Sequence, residues 1–217
     1  MTPADRRPEP AAPTVYIVDD DPGVRDSVAL LLRSMGLGTR SFPSATDFLQ
    51  TFDPRAPGCL VLDLRMPGMS GRELQKRLLE MGSRLPIIFI TAHGDVPTAV
   101  DAVKDGAVDF IQKPFSHQKL LDMIHEALAL DRRLREEELG RAEVQARAAT
   151  LTPREREVMV LVASGKLNKT VARELGISQR TVEIHRARVM EKMQARSVPD
   201  LVQMVMKLQE PPDTQRR

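Results

Sequence analysis

The chain carries a single cysteine, Cys59, in 217 residues. That excludes an internal disulfide framework and a cysteine-rich zinc site. Long apolar runs are missing as well. The longest, such as Val28–Leu32 and Val158–Ala163, fall far short of the ~20 residues that a membrane span requires. The opening stretch MTPADRRPEPAAP is Pro-rich and charged and lacks the apolar core of a signal peptide. No Gly/Ser-rich linker interrupts the chain, and no excess of one charge marks it: 32 Lys and Arg face 30 Asp and Glu, a net of +2. A soluble cytoplasmic protein without membrane association is expected. With 41% hydrophobic and 29% charged residues, the chain can build real cores, and its length suits two domains of roughly 70–130 residues each.

The near-neutral total hides an asymmetry. Residues 1–130 carry 14 basic and 17 acidic side chains, a net of −3; residues 131–150 carry five of each; residues 151–217 carry 13 and eight, a net of +5. An acidic front and a basic back are suited to different partners, cations in front and nucleic acid behind. On its own such an asymmetry is also compatible with ordinary solvated surface.

Short apolar runs alternate with amphipathic stretches over the first 130 residues. VYIVDD (15–20) reads as a buried strand. Asp21-Pro22 then combines an N-cap with proline at the first helical position, opening a helix to Met35. A weak strand at Thr39–Phe42, a helix from Ser44, the strand CLVLD (59–63) and a helix opened by the capping box Ser70-x-x-Glu73 follow. PIIFIT (86–91) and VDFIQK (108–113) read as strands, with a helix Val96–Asp105 between them and a last helix from Ser116. Five βα units with near-continuous apolar strands predict a doubly wound parallel sheet of flavodoxin-like type. The last helix meets no Gly or Pro from Ser116 through Leu139, and helix-favouring residues continue to Ala149. The stretch 131–149 is therefore expected to be a mostly solvated helical connector, with a short coiled-coil contact as the alternative.

The pattern changes at Leu151. Thr152-Pro153-Arg154-Glu155 is a second capping box, opening a helix closed by Gly165. Asn168 is expected to cap a second helix closed by Gly176, Ser178 to open a third through Met193, and Ser197–Leu208 to form a fourth. Two short helices joined by a Gly-containing turn, the second of them basic, make a helix-turn-helix arrangement. On the third helix, Val182, Val189 and Met193 fall at core-facing spacing. Arg180, Glu183, Ile184, Ala187 and Arg188 are left outward, where a helix can enter the major groove.

In the strand order 2-1-3-4-5, Asp19 and Asp20 at the end of the first strand meet Asp63 at the end of the third, at the rim where such sheets bind ligands. Three converging carboxylates repel one another and favour a hard divalent cation, Mg²⁺ first, with Mn²⁺ able to substitute. Thr91 and Lys113, ending the fourth and fifth strands, add a hydroxyl and an ammonium. Carboxylates, Mg²⁺, hydroxyl and ammonium are the groups that phosphoryl transfer to an aspartate needs.

VDDD (18–21), LDLRMPGMSG (62–71), FITAHGD (89–95) and DFIQKPF (109–115) resemble the receiver domain of two-component response regulators over about residues 14–130. The resemblance implies that Asp63 accepts phosphate from a sensor histidine kinase. It implies that Asp20, Asp63 and the Arg65 carbonyl hold the Mg²⁺, with Asp19 acting through water. It makes Thr91 and Phe110 a switch pair, although Phe110 has no hydroxyl to offer, and it makes the Lys113-Pro114 bond cis. Arg65 and His93 are the candidates, by position, for setting the lifetime of the phosphate.

TPRE, GKLNK, A-x-x-L-x-IS and TVEIHR stand in register with the LuxR-type helix-turn-helix domain, so the whole chain resembles the FixJ/NarL subfamily. The implied layout is an arm (1–13), a receiver (14–130), a helical linker (131–149), the DNA-binding domain (150–212) and a tail (213–217). Lys169, Arg180, Arg186, Arg188 and Lys192 are candidate phosphate contacts, and Thr181 belongs to the same DNA-binding set. Glu183, where relatives often carry Lys, can accept from cytosine N4 but is repelled by phosphate. Ile184 suits a thymine methyl, and His185 suits either a phosphate or the helix interface.

The resulting expectation is a phosphorylation-controlled transcription factor, not an enzyme. Phosphorylation either makes it homodimerise on promoter half-sites or unmasks a DNA-binding domain held against the receiver, and it works with RNA polymerase. An Mg²⁺-dependent phosphohydrolase using Asp63 is the rival. Such enzymes need a second acid shortly after the nucleophile, and here Leu64-Arg65-Met66 follows. A constitutive DNA-binding protein with a degenerate receiver is the third reading, opposed by the complete set Asp20, Asp63, Thr91 and Lys113. Cys59 reads as a buried small hydrophobe.

Overall fold

The computed structural model describes residues 12–92, 100–101 and 103–209. The chain divides into two compact units, Met1–Arg135 and Glu136–Arg217. In the first, β1 (Thr14–Val18), β2 (Gly38–Phe42), β3 (Gly58–Asp63), β4 (Ile87–Thr91) and β5 (Asp109–Gln112) form one sheet in the order β2-β1-β3-β4-β5. Every pairing is parallel. Helices α1 (Pro22–Ser34), α2 (Ala45–Thr51), α3 (Gly71–Glu80) and the start of α4 (His117–Ala149) belong to the same unit. Residues 96–99 and 102 of the expected helix Val96–Asp105 lie outside the described residues.

The two-residue period of the strands sorts their side chains onto two faces. Tyr16, Val18, Leu60, Leu62 and Phe89 pack with Phe48, Leu74 and Leu78 of α2 and α3. The intervening Val15, Ile17, Cys59, Val61, Ile88 and Ile90 pack with Val28 and Leu32 of α1 and with Leu120 and Ile124 of α4. Every residue of β3 and β4 is buried, which explains why these strands read as unbroken apolar runs. Helix starts agree with the sequence. Asp21 accepts from Gly23 N–H, Ser44 from Asp47 N–H, and Ser70 with Glu73 completes a capping box.

The stretch expected to be a solvated connector is only partly so. Asp131 and Leu134 are buried, and Asp131 accepts from Gly58 N–H at 3.0 Å and from Arg135 Nε at 2.8 Å. Arg135 in turn donates to the Arg55 and Ala56 carbonyls. These residues belong to the first unit. Val144 and Ala148, near the other end of α4, are core residues of the second. Residues 136–139 are exposed.

The second unit comprises the end of α4 with α5 (Pro153–Ala163), α6 (Asn168–Leu175), α7 (Gln179–Met193) and α8 (Val198–Gln209). Its core gathers Val158, Val162, Val171, Val182, Val189, Met193 and Leu201. The turn between α6 and α7 needs φ = +65° at Gly176, a conformation glycine adopts without penalty. One start differs from expectation. Leu167, not Asn168, is the N-cap of α6 and makes no side-chain cap bond. The Asn168 side chain instead accepts from Arg186 at 3.0 Å, because packing α7 against α6 brings that guanidinium within reach. Among the described residues no helix is long and apolar enough to cross a membrane.

Candidate functional site

At the carboxyl rim of the sheet, Asp19 and Asp20 lie just beyond β1, Asp63 ends β3, Thr91 ends β4, and Lys113 follows β5. Lys113 Nζ stands 2.8 Å from Asp19 Oδ2 and 2.9 Å from Asp63 Oδ1. The other Asp63 oxygen accepts from Arg65 N–H at 2.9 Å. Burial pushes the Asp63 carboxyl above its usual range; the Lys113 hydrogen bond opposes this and the neighbouring Asp19 charge adds to it. Desolvation works to lower the Lys113 ammonium, but its bonds to both carboxylates outweigh that and hold it above its ordinary value. The pocket is thus an acid cluster short of positive charge, with one lysine bridging two of its members.

The two adjacent aspartates have different surroundings. Asp19 is 1% exposed; its Oδ1 accepts from Asp21 N–H at 2.9 Å and its Oδ2 from Lys113. Asp20 is exposed. The solvated Asp20 carboxylate is open to ligate a cation directly, whereas both oxygens of Asp19, like those of Asp63, already accept hydrogen bonds. The carboxylate oxygens gathered here suit a hard divalent ion such as Mg²⁺. Among the described residues, no three acidic or histidine side chains already surround one point; Lys113 holds the place between Asp19 and Asp63.

Gly71 sets how closely α3 approaches this rim. A Cβ at that position would sit 2.3 Å from the Asp63 carbonyl oxygen and 3.0 Å from the Phe89 ring. Thr91 is fully buried, and its hydroxyl donates to the Ala92 carbonyl at 3.3 Å. Phe110 is half-buried against the core layer of α2 and α3. The Lys113-Pro114 peptide is cis. His93 lies outside the described residues.

On the second unit, Arg180, Glu183, Ile184, Ala187 and Arg188 of α7 are exposed, as is Lys169 of α6. Arg180 reaches Glu183 Oε2 at 3.4 Å. Three other residues expected to face DNA have surroundings of a different kind. The Thr181 hydroxyl lies 2.8 Å from that of Ser178, the cap of α7. His185 Nδ1 is buried with no hydrogen-bond partner. Lys192, expected at a phosphate, donates instead to Glu155 Oε2 at 2.7 Å and to the Thr150 carbonyl at 3.2 Å. Glu155 is 2% exposed, and the Lys192 and Thr152 donors pull its carboxyl down to about 2. Spacing along α7 places Lys192 on the basic side of the helix. It gave no sign of a buried acid 37 residues away.

Comparison with known proteins decides the family. Residues 15–125 match the response regulator receiver domain, and residues 149–205 match the bacterial regulatory proteins of the luxR family. The chain belongs to the two-component response regulators. Nodulation protein W of Bradyrhizobium diazoefficiens is 48% identical over 88% of this chain and 84% of its own length. The transcriptional regulatory protein FixJ of Azorhizobium caulinodans is 45% identical over 91% and 93%. Among solved structures, the response regulator StyR covers 91% of this chain and all of its own at TM-score 0.80 and 46% identity. A response regulator of this family is a transcriptional regulator whose receiver answers to a histidine kinase and whose C-terminal domain binds DNA.

Proposed function

We propose that Asp63 is the phosphoacceptor and that its phosphorylation controls DNA binding by α7. The observation that carries this reading is the rim itself. Asp63 is held on one oxygen by Lys113 and on the other by the Arg65 amide, and the free carboxylate of Asp20 lies beside the paired Asp19. Asp63 attacks the phosphorus of a kinase phosphohistidine; the new P–O bond forms as the P–N bond breaks, and the electron pair leaves with the imidazole. Lys113 neutralises charge on the transferred phosphoryl oxygens. Asp20, Asp63 and the Arg65 carbonyl hold Mg²⁺ or Mn²⁺, with Asp19 acting through water; the ion supplies further charge neutralisation. Thr91 then turns from the Ala92 carbonyl toward the phosphoryl group, and Phe110 follows inward.

In the second unit, Arg180, Arg188 and Lys169 face DNA phosphates while Glu183 and Ile184 face base edges. Thr181 bonds to the cap residue Ser178 at the start of α7, and His185 supports this face from within. The phosphorylated chain acts as a homodimer at promoter DNA, engages RNA polymerase, works in the cytoplasm and does not turn over small substrates. The layout keeps the receiver at 14–130 and the DNA-binding domain at 150–212. The test compares promoter affinity and oligomeric state of wild type, acetyl-phosphate-treated wild type and Asp63→Asn. Phosphorylation tightens DNA binding in wild type alone. Unchanged affinity and unchanged oligomeric state on labelling would overturn the reading.

A further inference from the structure

Arg25 lies in the first turns of α1, outside the strand-end set, and its guanidinium is turned back on the pocket. Its Nη1 donates to the Asp19 carbonyl oxygen at 2.7 Å. That oxygen belongs to the peptide joining Asp19 to Asp20, so its direction sets the plane from which the Asp20 side chain departs. Asp19 is otherwise fully engaged. Its N–H points to the Phe42 carbonyl at 3.4 Å, its Oδ1 accepts from Asp21 N–H, and its Oδ2 accepts from Lys113. Asp20 is exposed and just outside the strand, without the sheet ladder to hold it. The Arg25 bond at the peptide before Asp20, together with the Asp19 Oδ1 bond to the Asp21 N–H after it, therefore bears on where that carboxylate points.

We infer that Arg25 is a positioning residue for the divalent-cation site, acting through the Asp19–Asp20 peptide and touching neither the ion nor the phosphoryl group. The inference rests on the reading of the acidic rim as an Mg²⁺ site. Partners that orient a ligand from outside the coordination sphere typically change metal affinity about 10- to 100-fold when removed. Two effects of Arg25 have opposite signs. As a nearby cation it repels Mg²⁺, so a purely electrostatic role predicts tighter binding when it is removed. As the anchor of the turn it preorganises Asp20, so removal weakens binding. A bond of 2.7 Å from a charged donor is short and strong, whereas the charge of a half-buried guanidinium is screened by solvent. Positioning dominates.

The experiment measures Mg²⁺ affinity by titration calorimetry on the full chain for wild type, Arg25→Met and Arg25→Lys. Thermal midpoints without metal and the Mg²⁺ dependence of labelling by acetyl phosphate are measured alongside. Arg25→Met is expected to weaken Mg²⁺ binding about tenfold, leave the metal-free midpoint within a few degrees, and recover the wild-type labelling rate at saturating Mg²⁺. Arg25→Lys, which keeps charge and reach, recovers most of the affinity. Unchanged or tighter binding in Arg25→Met overturns the inference. So does weaker binding that tracks a collapsed thermal midpoint, or a labelling rate that saturating Mg²⁺ does not restore. A wild type that binds no Mg²⁺ at all removes the reading of the rim on which the inference stands.

Discussion

Replacing Lys192 by methionine separates a structural lysine from a DNA-binding one. The side chain is about the same length, so packing along the stem is largely retained and the ammonium alone is lost. Glu155, 2% exposed, then keeps only the donors of Thr152. Its carboxyl sits at about 2 against 4.5 for a free glutamate, a difference of about 3 kcal/mol at ~1.36 kcal/mol per pH unit. Lys192 is the largest contributor, but its side chain is 33% exposed, so solvent screening reduces its share to about 2 kcal/mol. With an m-value of ~1 kcal/mol/M for a unit of this size, the urea midpoint of the second unit falls by about 2 M.

The two units can be followed separately. The protein has one tyrosine and no tryptophan, and Tyr16 is in β1, so tyrosine fluorescence reports only the first unit. Far-ultraviolet circular dichroism reports both. The expected result for Lys192→Met is an unmoved fluorescence transition and an earlier dichroism transition. The salt dependence of DNA binding, measured where the variant is folded, keeps its slope. A lysine bound to phosphate would instead lower that slope by ~0.9 and leave stability alone, and that outcome would refute the assignment. The pH dependence follows from the depressed carboxyl. The Glu155 contribution is complete above about 4.5 and is lost as pH falls toward about 2, so the acid sensitivity of the second unit is blunted in the variant.

Asp131→Ala leaves the Arg135 guanidinium and the Gly58 amide without their shared acceptor; the cost is about 3 kcal/mol, read as a fall of roughly 10 °C in the tyrosine-reported midpoint. An equal change in the second unit would contradict the placement of Asp131 in the first. Gly71→Ala forces a methyl against the Asp63 carbonyl and is expected to slow acetyl phosphate labelling severalfold even where the variant is folded, whereas full-rate labelling would show that the close approach of α3 is dispensable. Cys59 is fully buried, and desolvation pushes its thiol far above the ordinary range. Alkylating reagents at pH 8 should therefore label it only as urea unfolds the first unit, and rapid native labelling would contradict that burial.

Much of the fold was legible because its signals are local. Asp21-Pro22, Ser70 with Glu73 and Thr152 with Glu155 cap helices through bonds that span at most three residues, and they form as their spacing dictates. The strand-end set was legible for a topological reason. Successive right-handed βα units bring the carboxyl ends of all parallel strands to one rim, so Asp63, Thr91 and Lys113 meet there whatever the details of packing. The outward face of α7 follows from 3.6-residue periodicity in the same way.

Tertiary structure alone decided which of several equivalent groups takes which partner. Asp19 and Asp20 are adjacent and chemically identical, yet one has both carboxylate oxygens paired and the other is solvated, because β1 ends between the core and the rim. Lys192 and Arg188 both lie on a basic helix, but packing against α5 sets only Lys192 over Glu155. Asn168 looks like a cap until α7 brings Arg186 to it, and Asp131 looks like connector until Gly58, 73 residues earlier, presents an amide to it. Periodicity assigns a side chain to a face. The partner it meets there depends on the separation and register of elements distant in sequence, and those are set only when the cores close.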